Sequence, residues 1–377
     1  MGFELITNDS STSARAGRIH TGHGVINTPA FMPVGTSGSV KGVHQRELAE
    51  DIRAQIILTN TYHLYLRPGS EIISKAGGVH KFIGWHKPVL TDSGGFQVYS
   101  LGAIRKITDD GVEFSSHIDG SKHFFTPEKA VQVQREIGAD IIMAFDECVS
   151  YPCEESDTIK SMERTHRWLE RCMKYFNENP DLHGYPQTII PIVQGNIYKN
   201  LRQESASFIT TYPSPGYAIG GLSVGEPDEM LYEITAYTCS LLPQNNFRYL
   251  MGVGTPENLL ECISVGVDLF DCVIPTRNAR NGMLFTKNGI LHIKNNRHKD
   301  DFSPLDPDGT SFADRQYSRA YLRHLFNVNE RLAAMIASVH NLRFYQYLME
   351  EARKNIIEGT FNPWKKEMME SVGRDYP

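Results

Sequence analysis

Eight short apolar runs recur along the chain, and each ends in a polar residue or a glycine. Runs that stay apolar on both faces are typical of parallel strands, which are buried from both sides. The runs are residues 30–34, 55–59, 88–90, 140–145, 188–193, 216–219, 248–251 and 267–272. Several gaps between them show helical spacing, as in the segment that begins Thr126-Pro127-Glu128. This alternation predicts an α/β fold, a (β/α)8 TIM barrel. A doubly wound sheet is the alternative, but no glycine-rich fingerprint follows the first run.

Two segments interrupt the alternation of strands and helices. Residues 111–125 alternate apolar and polar residues around Asp119-Gly120, and residues 283–293 do so around Asn288-Gly289, so each predicts a hairpin. Residues 317–358 have a mostly helical pattern that no flexible linker precedes. We therefore predict a catalytic barrel with an N-terminal hairpin over residues 1–295. A C-terminal helical subdomain over residues 296–377 is expected to pack on it.

The charge distribution restricts what the chain can bind. Its net charge of −6 means that a nucleic acid must be held by a local basic patch rather than by the whole protein. Such a patch runs from Cys272 to Lys299, with six Lys or Arg and no Asp or Glu, directly after Asp271. A lone carboxylate beside this block predicts chemistry on a polyanion. The six scattered cysteines, the lack of a signal sequence and the lack of a membrane-spanning run predict a cytoplasmic protein.

Polar residues collect where the predicted strands end, which is where barrel enzymes hold their chemistry. These residues are Asp92, Asp146, Gln194, Gly220-Gly221 and Asp271. Carboxylates on facing strands suit cleavage of a glycosidic bond, in which one is the nucleophile and another moves a proton. An aspartate with a glutamine and backbone groups can also read the edge of a purine.

The motifs at these strand ends resemble those of the bacterial tRNA-guanine transglycosylases, in order from about Ile6 to Phe361. They are Asp92-Ser93-Gly94-Gly95-Phe96-Gln97, Phe145-Asp146-Glu147-Cys148, Val193-Gln194-Gly195, Tyr217-Ala218-Ile219-Gly220-Gly221-Leu222, Met251-Gly252-Val253-Gly254-Thr255-Pro256 and Phe270-Asp271-Cys272-Val273-Ile274-Pro275-Thr276-Arg277. That family exchanges guanine at the wobble position of GUN-anticodon tRNAs (Asp, Asn, His, Tyr) for a 7-deazaguanine precursor of queuosine. The resemblance implies such a glycosyltransferase, acting as a homodimer.

The resemblance also implies a role for each site residue. Asp271 would attack the ribose C1′ and form a covalent tRNA intermediate, and Asp92 would be the general acid/base. The base-binding positions are Asp146, Gln194, Gly221, Leu222, Phe96, Met251 and Cys148, of which Phe96 and Met251 would sandwich the purine ring. The expected tRNA contacts are Arg277, Arg280, Lys287, Lys294 and Arg297. Cys148 and Val224 predict a narrow pocket that favours the small base preQ1 over queuine.

Two alternatives stay open within the same family. A direct queuine salvage enzyme would have a closely similar sequence. A non-catalytic tRNA-binding subunit fits less well, because such a subunit has no need of Asp92, Asp146 and Asp271 together.

The resemblance fails at the family's structural zinc site, which uses three cysteines and a histidine. The corresponding positions are Gly309, Ser311, Asp314 and His340, so the histidine alone is retained. Glycine has no side chain to ligate with, and serine is a poor ligand. We therefore predict that no zinc and no other cofactor is bound. Packing of four aromatic residues, Phe312, Tyr317, Phe344 and Tyr345, is the hypothesis for what replaces the metal.

Overall fold

The computed structural model describes residues 2–95 and 105–376, which form strands and helices in alternation. In chain order the strands are β1 (Gly2–Asn8), β2 (Arg15–Thr21), β3 (Gly24–Thr28), β4 (Ala30–Gly35), β5 (Ile57–Thr59), β6 (Val89–Thr91), β7 (Arg105–Thr108), β8 (Gly111–Ser115), β9 (Lys122–Phe125), β10 (Ile141–Met143), β11 (Thr188–Ile190), β12 (Ile192–Val193), β13 (Gly216–Ile219), β14 (Phe247–Leu250), β15 (Leu269–Cys272), β16 (Met283–Thr286) and β17 (Gly289–His292).

The helices lie mainly between the barrel strands and in the C-terminal region. They are α1 (Thr61–Leu66), α2 (Ser70–Lys75), α3 (Val79–Ile83), α4 (Pro127–Ile137), α5 (Glu155–Glu178), α6 (Lys199–Ile209), α7 (Asp228–Leu241), α8 (Pro256–Ser264), α9 (Ile274–Arg280), α10 (Phe312–Gln316), α11 (Arg319–Asn327), α12 (Arg331–Glu358) and α13 (Phe361–Met369). A π-helical turn covers Glu47–Asp51 and a 3-10 turn covers Asn296–His298. Within the described ranges, none of these helices is both long enough and apolar enough to cross a membrane.

Parallel pairing joins the strands of the barrel in the order β11, β10, β6, β5, β4, β15, β14, β13 and β12. β11 and β12 are the two halves of one predicted strand, split at Pro191, which has no N–H to donate to a ladder. The first half pairs with β10 and the second with β13, and the Pro191 carbonyl accepts from Ala218 N at 2.9 Å. The split strand brings the two ends of the sheet together. The predicted (β/α)8 barrel is therefore confirmed.

Alternate strand residues fill the barrel interior, as the two-residue period of a strand requires. Leu269 and Tyr249 are paired neighbours on β15 and β14, and both are buried in this inner core. Asp271 is the next inward position on β15 and lies at the strand's C-terminal end. Ile19 and Ile26 of the N-terminal sheet belong to the same core. The predicted N-terminal hairpin is a three-stranded antiparallel sheet, β1–β2–β3.

The two predicted hairpins are both present, each with one difference. β8 and β9 form the first, and β7 adds a third antiparallel strand that the sequence pattern did not show. In the second, Thr286 pairs with Gly289, so the turn residues are Lys287 and Asn288 rather than Asn288-Gly289. Gly289 is needed for a different reason: a Cβ there would lie 2.6 Å from the carbonyl oxygen of Arg374.

The helical tail packs on the outside of the barrel chiefly through α12. Tyr345 donates its hydroxyl to Gly254 O at 2.6 Å, and the Gln346 side chain donates to Phe31 O at 3.0 Å. Arg353 donates to the carbonyls of Asn27 and Pro29 at 2.8 and 3.0 Å. The predicted helical tail is thus confirmed as an element of the fold, and a division at residue 295 stays a prediction.

Candidate active site

A cavity of about 360 Å³ opens at the C-terminal ends of the barrel strands, a size that suits a small molecule such as a nucleobase. It brings together seven of the nine residues to which the resemblance assigns a catalytic or base-binding role, and these seven come from five different strand ends. They are Asp92, Asp146, Cys148, Gly221, Leu222, Met251 and Asp271, and Ser93, Tyr249 and Val224 also line the cavity. Phe96, the other proposed stacking residue, lies outside the described residues.

Asp271 is held by two donors that bind the same carboxylate oxygen. The Tyr249 hydroxyl donates to Oδ1 at 2.6 Å, and the Gly252 amide donates to Oδ1 at 3.0 Å. These bonds fix the carboxylate plane and leave Oδ2 as the oxygen that neither donor uses. Burial raises the pKa of Asp271, and the two hydrogen bonds reduce that rise. Sequence reasoning missed Tyr249, although its inward position two residues before Met251 was a usable indication.

Asp92 is oriented by the loop that follows the neighbouring strand β5. The Thr61 amide donates to Oδ1 at 2.8 Å and the Gly94 amide donates to the same oxygen at 3.2 Å. The Asn60 side chain donates to Oδ2. The carboxylate therefore has a defined direction at the edge of the cavity. Asn60 and Thr61 were not predicted, because only the β5–β6 pairing brings them to Asp92.

Asp146 is a buried carboxylate with two side-chain donors. Gln194 donates to Oδ2 at 2.8 Å and the Ser93 hydroxyl donates to Oδ1 at 3.2 Å. Burial raises its pKa to about 6, the nearby charge of Asp92 adds to the rise, and the two donors oppose it. Gln194 is not among the described residues that line the cavity, so in this conformation it supports Asp146 from behind. Its direct contact with a base stays a prediction.

The Gly220-Gly221 loop requires glycine because it packs directly on Gln194. Gly221 has a φ of +66°, and a Cβ there would lie 2.5 Å from Gln194 Oε1. A Cβ on Gly220 would lie 2.8 Å from Gln194 Nε2. Glu226, which the sequence did not point to, binds the amides of Ser223 and Val224 and fixes the end of the loop. The wall of the cavity at this point is therefore backbone rather than side chain.

Cys148 contributes a small apolar surface to the cavity. Burial raises the pKa of its thiol to about 12, so the sulfur is protonated at neutral pH. A protonated thiol is a poor nucleophile. Cys148 therefore shapes the cavity and leaves the nucleophile's role to a carboxylate.

The basic residues predicted to hold tRNA lie on the surface beyond β15. Arg277 and Arg280 are exposed on α9, which begins two residues after the strand ends. Lys294 and Arg297 are exposed as well, and the half-buried Lys287 has its ammonium 4.3 Å from the centre of the Tyr347 ring. Their contact with tRNA stays a prediction.

The four positions that the resemblance associates with zinc do not fit a tetrahedral metal site. His340 Nδ1 lies 2.5 Å from Asp314 Oδ1, and Nε2 lies 2.9 Å from Phe285 O. Since both neighbours are acceptors, both ring nitrogens carry hydrogen and neither offers a lone pair. Ser311 and Asp314 form the capping box of α10, and a Cβ on Gly309 would lie 2.3 Å from Asp314 Oδ2. These residues instead form a buried ion pair joined to a helix cap.

Of the four aromatic residues in the hypothesis for this region, Phe344 and Tyr345 are buried, Tyr317 is partly buried against the core, and Phe312 does not pack as expected. Tyr345 is buried, with ring centres 4.9 Å from Phe31 and 5.6 Å from Phe285, and Phe344 is buried beside it. Phe312 is 40% exposed, because it begins α10 on the side that faces solvent. The Asp314–His340 pair lies in the same region as this aromatic packing, and what replaces the metal stays a hypothesis.

Among the described residues, His23, His80 and Asp140 also have metal-like spacing, at the opposite end of the barrel. His23 Nδ1 and His80 Nε2 lie 2.8 and 3.0 Å from the two oxygens of Asp140, and the rings stack 3.6 Å apart. Two parallel stacked rings cannot both aim a lone pair at one ion. We interpret the cluster as a hydrogen-bonded clamp between the β2–β3 turn, α3 and β10.

Comparisons with known proteins cover the barrel and the tail alike. The family model described as queuine tRNA-ribosyltransferase matches residues 9–374. Among curated proteins, the queuine tRNA-ribosyltransferase of Thermoanaerobacter pseudethanolicus is 52% identical over 98% of this chain and 97% of its own. That of Caldanaerobacter subterraneus is 53% identical over 97% and 96%. That of Aquifex aeolicus is 50% identical over 98% of both chains.

Proposed function

Because the chain belongs to the queuine tRNA-ribosyltransferase family, we propose that it exchanges guanine for preQ1 at the wobble position of tRNAs with GUN anticodons. The family makes it a pentosyltransferase, a tRNA-guanine transglycosylase. The observation that carries the finer proposal is the cavity in which Asp271, Asp92 and Asp146 meet. Each carboxylate is held by different donors, which suits three separate tasks.

The exchange proceeds by double displacement through a covalent tRNA intermediate. The Asp271 oxygen that Tyr249 and Gly252 leave unused attacks the ribose C1′. The bond from C1′ to the base nitrogen breaks, its electron pair leaves with guanine, and an ester joins Asp271 to the ribose. Asp92 supplies the proton to the departing base and takes one from the incoming base, whose nitrogen then displaces Asp271.

The base is read along one edge by Asp146 and by backbone amides. An ionised carboxylate accepts hydrogen bonds, so Asp146 suits the N–H groups of the purine's 2-amino edge. Gly221 and Leu222 supply amides for the carbonyl oxygen, and Met251 covers one face of the ring. Cys148 and Val224 restrict the wall, which favours the small aminomethyl group of preQ1 over the bulkier queuine.

The polynucleotide is held outside the cavity. Arg277 and Arg280 are exposed beside Asp271, where their guanidinium groups suit the phosphates of the anticodon stem. The target nucleotide must leave its stack to reach the cavity, and a single-stranded loop permits this at a small cost. By its resemblance to the family the enzyme works as a homodimer, in which a second subunit helps to position the tRNA.

Guanine binding is expected to weaken below about pH 6, because the pKa of Asp146 is raised to about 6 by burial. Above that pH the carboxylate accepts from the base, and below it the carboxyl is protonated and loses an acceptor. Affinity should fall about tenfold for each pH unit below the pKa. Equilibrium binding of guanine across about pH 5 to 7 measures this. Asp146→Asn should bind weakly with a flat profile, and a flat profile in the unaltered protein would contradict the role.

The proposed function is tested by a base-exchange assay. A GUN-anticodon tRNA carrying labelled guanine at the wobble position is incubated with the protein and offered preQ1, then queuine. Release of label by preQ1 is the expected result. Release by queuine alone would make the protein a direct salvage enzyme, and release by neither base would overturn the proposal. A tRNA without the GUN anticodon is the control for specificity.

A further inference from the structure

Arg202 is a fully buried arginine in the first turns of α6. It lies directly behind residues 220–222, which we call the base-reading loop. Its guanidinium donates to four backbone carbonyls at the ends of strands β12 and β13. The acceptors are Asn196 O at 2.7 Å, Val193 O at 3.2 Å, Gly220 O at 2.7 Å and Gly221 O at 3.2 Å. Two active-site loops are therefore joined by one side chain.

Among the described residues, the positive charge of Arg202 is surrounded by backbone carbonyls rather than by an ion-paired carboxylate. Burial lowers its pKa to about 10, so it is still a cation at neutral pH. Each of its four hydrogen-bond acceptors is a neutral carbonyl, and the Glu226 carboxylate favours its charge through a longer-range electrostatic interaction rather than an ion pair. Burying a charge without an opposite charge is costly. The charge of Arg202 is compensated by these carbonyl dipoles and by Glu226.

The direction of the loop's amides follows from peptide geometry. In a trans peptide the C=O and the next residue's N–H point in opposite directions. The carbonyls of Gly220 and Gly221 point at Arg202, so the N–H groups of Gly221 and Leu222 point away from it. Gly221, Leu222 and Cys148 all line the cavity on this side of the loop. The guanidinium thus lies behind the loop and the Gly221 donor faces the cavity.

We propose that Arg202 is a positioning residue that orients and polarises these amides toward the exocyclic carbonyl oxygen of a purine-type base. The inference rests on the proposed function, since it assumes that the base leaves with the electron pair of its bond to C1′. That charge spreads from the ring nitrogen to the carbonyl oxygen. Donors fixed in advance where charge develops stabilise the transition state more than the bound substrate. A cation behind both peptides makes their N–H groups stronger donors.

The test compares guanine with 2-aminopurine, which lacks the carbonyl oxygen, in equilibrium binding to Arg202→Met and the unaltered protein. We expect guanine affinity to fall about tenfold, and 2-aminopurine affinity to change less than about twofold. The ring N–H that 2-aminopurine also lacks affects both proteins alike. The kcat of base exchange should fall further, about a hundredfold, because the charge peaks in the transition state. Arg202→Lys keeps the cation and should recover part of kcat.

Arg353→Met is the matched control, because Arg353 also donates to backbone carbonyls, those of Asn27 and Pro29, but on α12. It should leave the ratio of guanine to 2-aminopurine affinity unchanged. An equal loss of affinity for guanine and 2-aminopurine in Arg202→Met, which leaves the ratio of the two affinities unchanged, would overturn the inference. If Arg202→Met does not fold, Arg202→Gln, which keeps hydrogen-bond donors and removes the charge, takes its place, and an unchanged ratio there overturns the inference. Failure of the proposed function is distinguishable, since it shows as no exchange by the unaltered protein.

Discussion

Asp271→Asn is expected to reduce base exchange by at least about a thousandfold, because an amide cannot form the ribosyl ester. The change keeps the size of the side chain, and Oδ1 still accepts from Tyr249 and Gly252. The fold should therefore survive. The unaltered protein with GUN-anticodon tRNA should give a covalent complex on a denaturing gel, and the variant should give none.

Two further variants separate loss of the nucleophile from loss of its surroundings. Tyr249→Phe removes one donor to Asp271 and should reduce exchange by about tenfold, with the covalent complex still formed. Asp119→Asn changes an exposed carboxylate in the β8–β9 turn and should have no effect. If the rate of base exchange by Asp271→Asn were within tenfold of that of the unaltered protein, Asp271 would not be the nucleophile.

His340→Ala is expected to destabilise the protein by about 3–5 kcal/mol, because it leaves the buried carboxylate of Asp314 without its cation. Both side chains are 2% exposed. Burial alone would lower the pKa of His340, but the charge and hydrogen bond of Asp314 outweigh it, and the pKa of His340 is raised. Burial alone would raise the pKa of Asp314, but His340 outweighs it, and the pKa of Asp314 is lowered. The histidine's contribution is complete below its unfolded pKa of about 6.5, and is lost as pH rises through the raised value. The contribution of Asp314 to stability is complete above its unfolded pKa of about 3.8, and is lost as the pH falls through the lowered pKa of the folded state.

Denaturant unfolding at about pH 5 to 6 therefore measures the whole contribution of the pair. His292→Ala is the matched control, since His292 pairs with Asp375 at the surface and should cost less than about 1 kcal/mol. Replacing Asp314 and His340 together by apolar residues should cost less than the sum of the single changes. A similar cost for His292→Ala and His340→Ala would contradict the role of the buried pair. Metal analysis of protein purified without chelator should show no zinc, and one tightly held zinc per chain would contradict the ion pair.

The barrel and its three carboxylates could be predicted because both depend on local patterns. A buried parallel strand is an unbroken apolar run, and the residue after it lies at the catalytic end wherever the strand is placed in the circle. Asp92, Asp146 and Asp271 needed no knowledge of which strands are neighbours.

Residues that act through a neighbour were not predictable in this way. Tyr249 lies inside an apolar run and has the pattern of a core residue until the β14–β15 register places its hydroxyl on Asp271. Arg202 is an ordinary helix arginine until α6 packs behind two loops. Asp314 and His340 are 26 residues apart, and only the fold brings them into contact. Phe312 was misassigned because an aromatic at the start of a short helix can face either way.

The division of one strand at Pro191 interrupts the hydrogen-bond ladder of the barrel between β12 and β13. β12 and β13 share two paired positions, as do β14 and β15, whereas β4 and β15 share four. Local opening takes place where few hydrogen bonds must break together, and Pro191 removes one further donor from the ladder at the β12–β13 junction. Arg202 donates hydrogen bonds to the carbonyls of Val193 and Gly220, one on each side of that junction, and so holds the two strand ends together. Arg202→Met should therefore let solvent deuterium reach the amides of Ala218 and Gly220, which bridge this junction, sooner than in the unaltered protein.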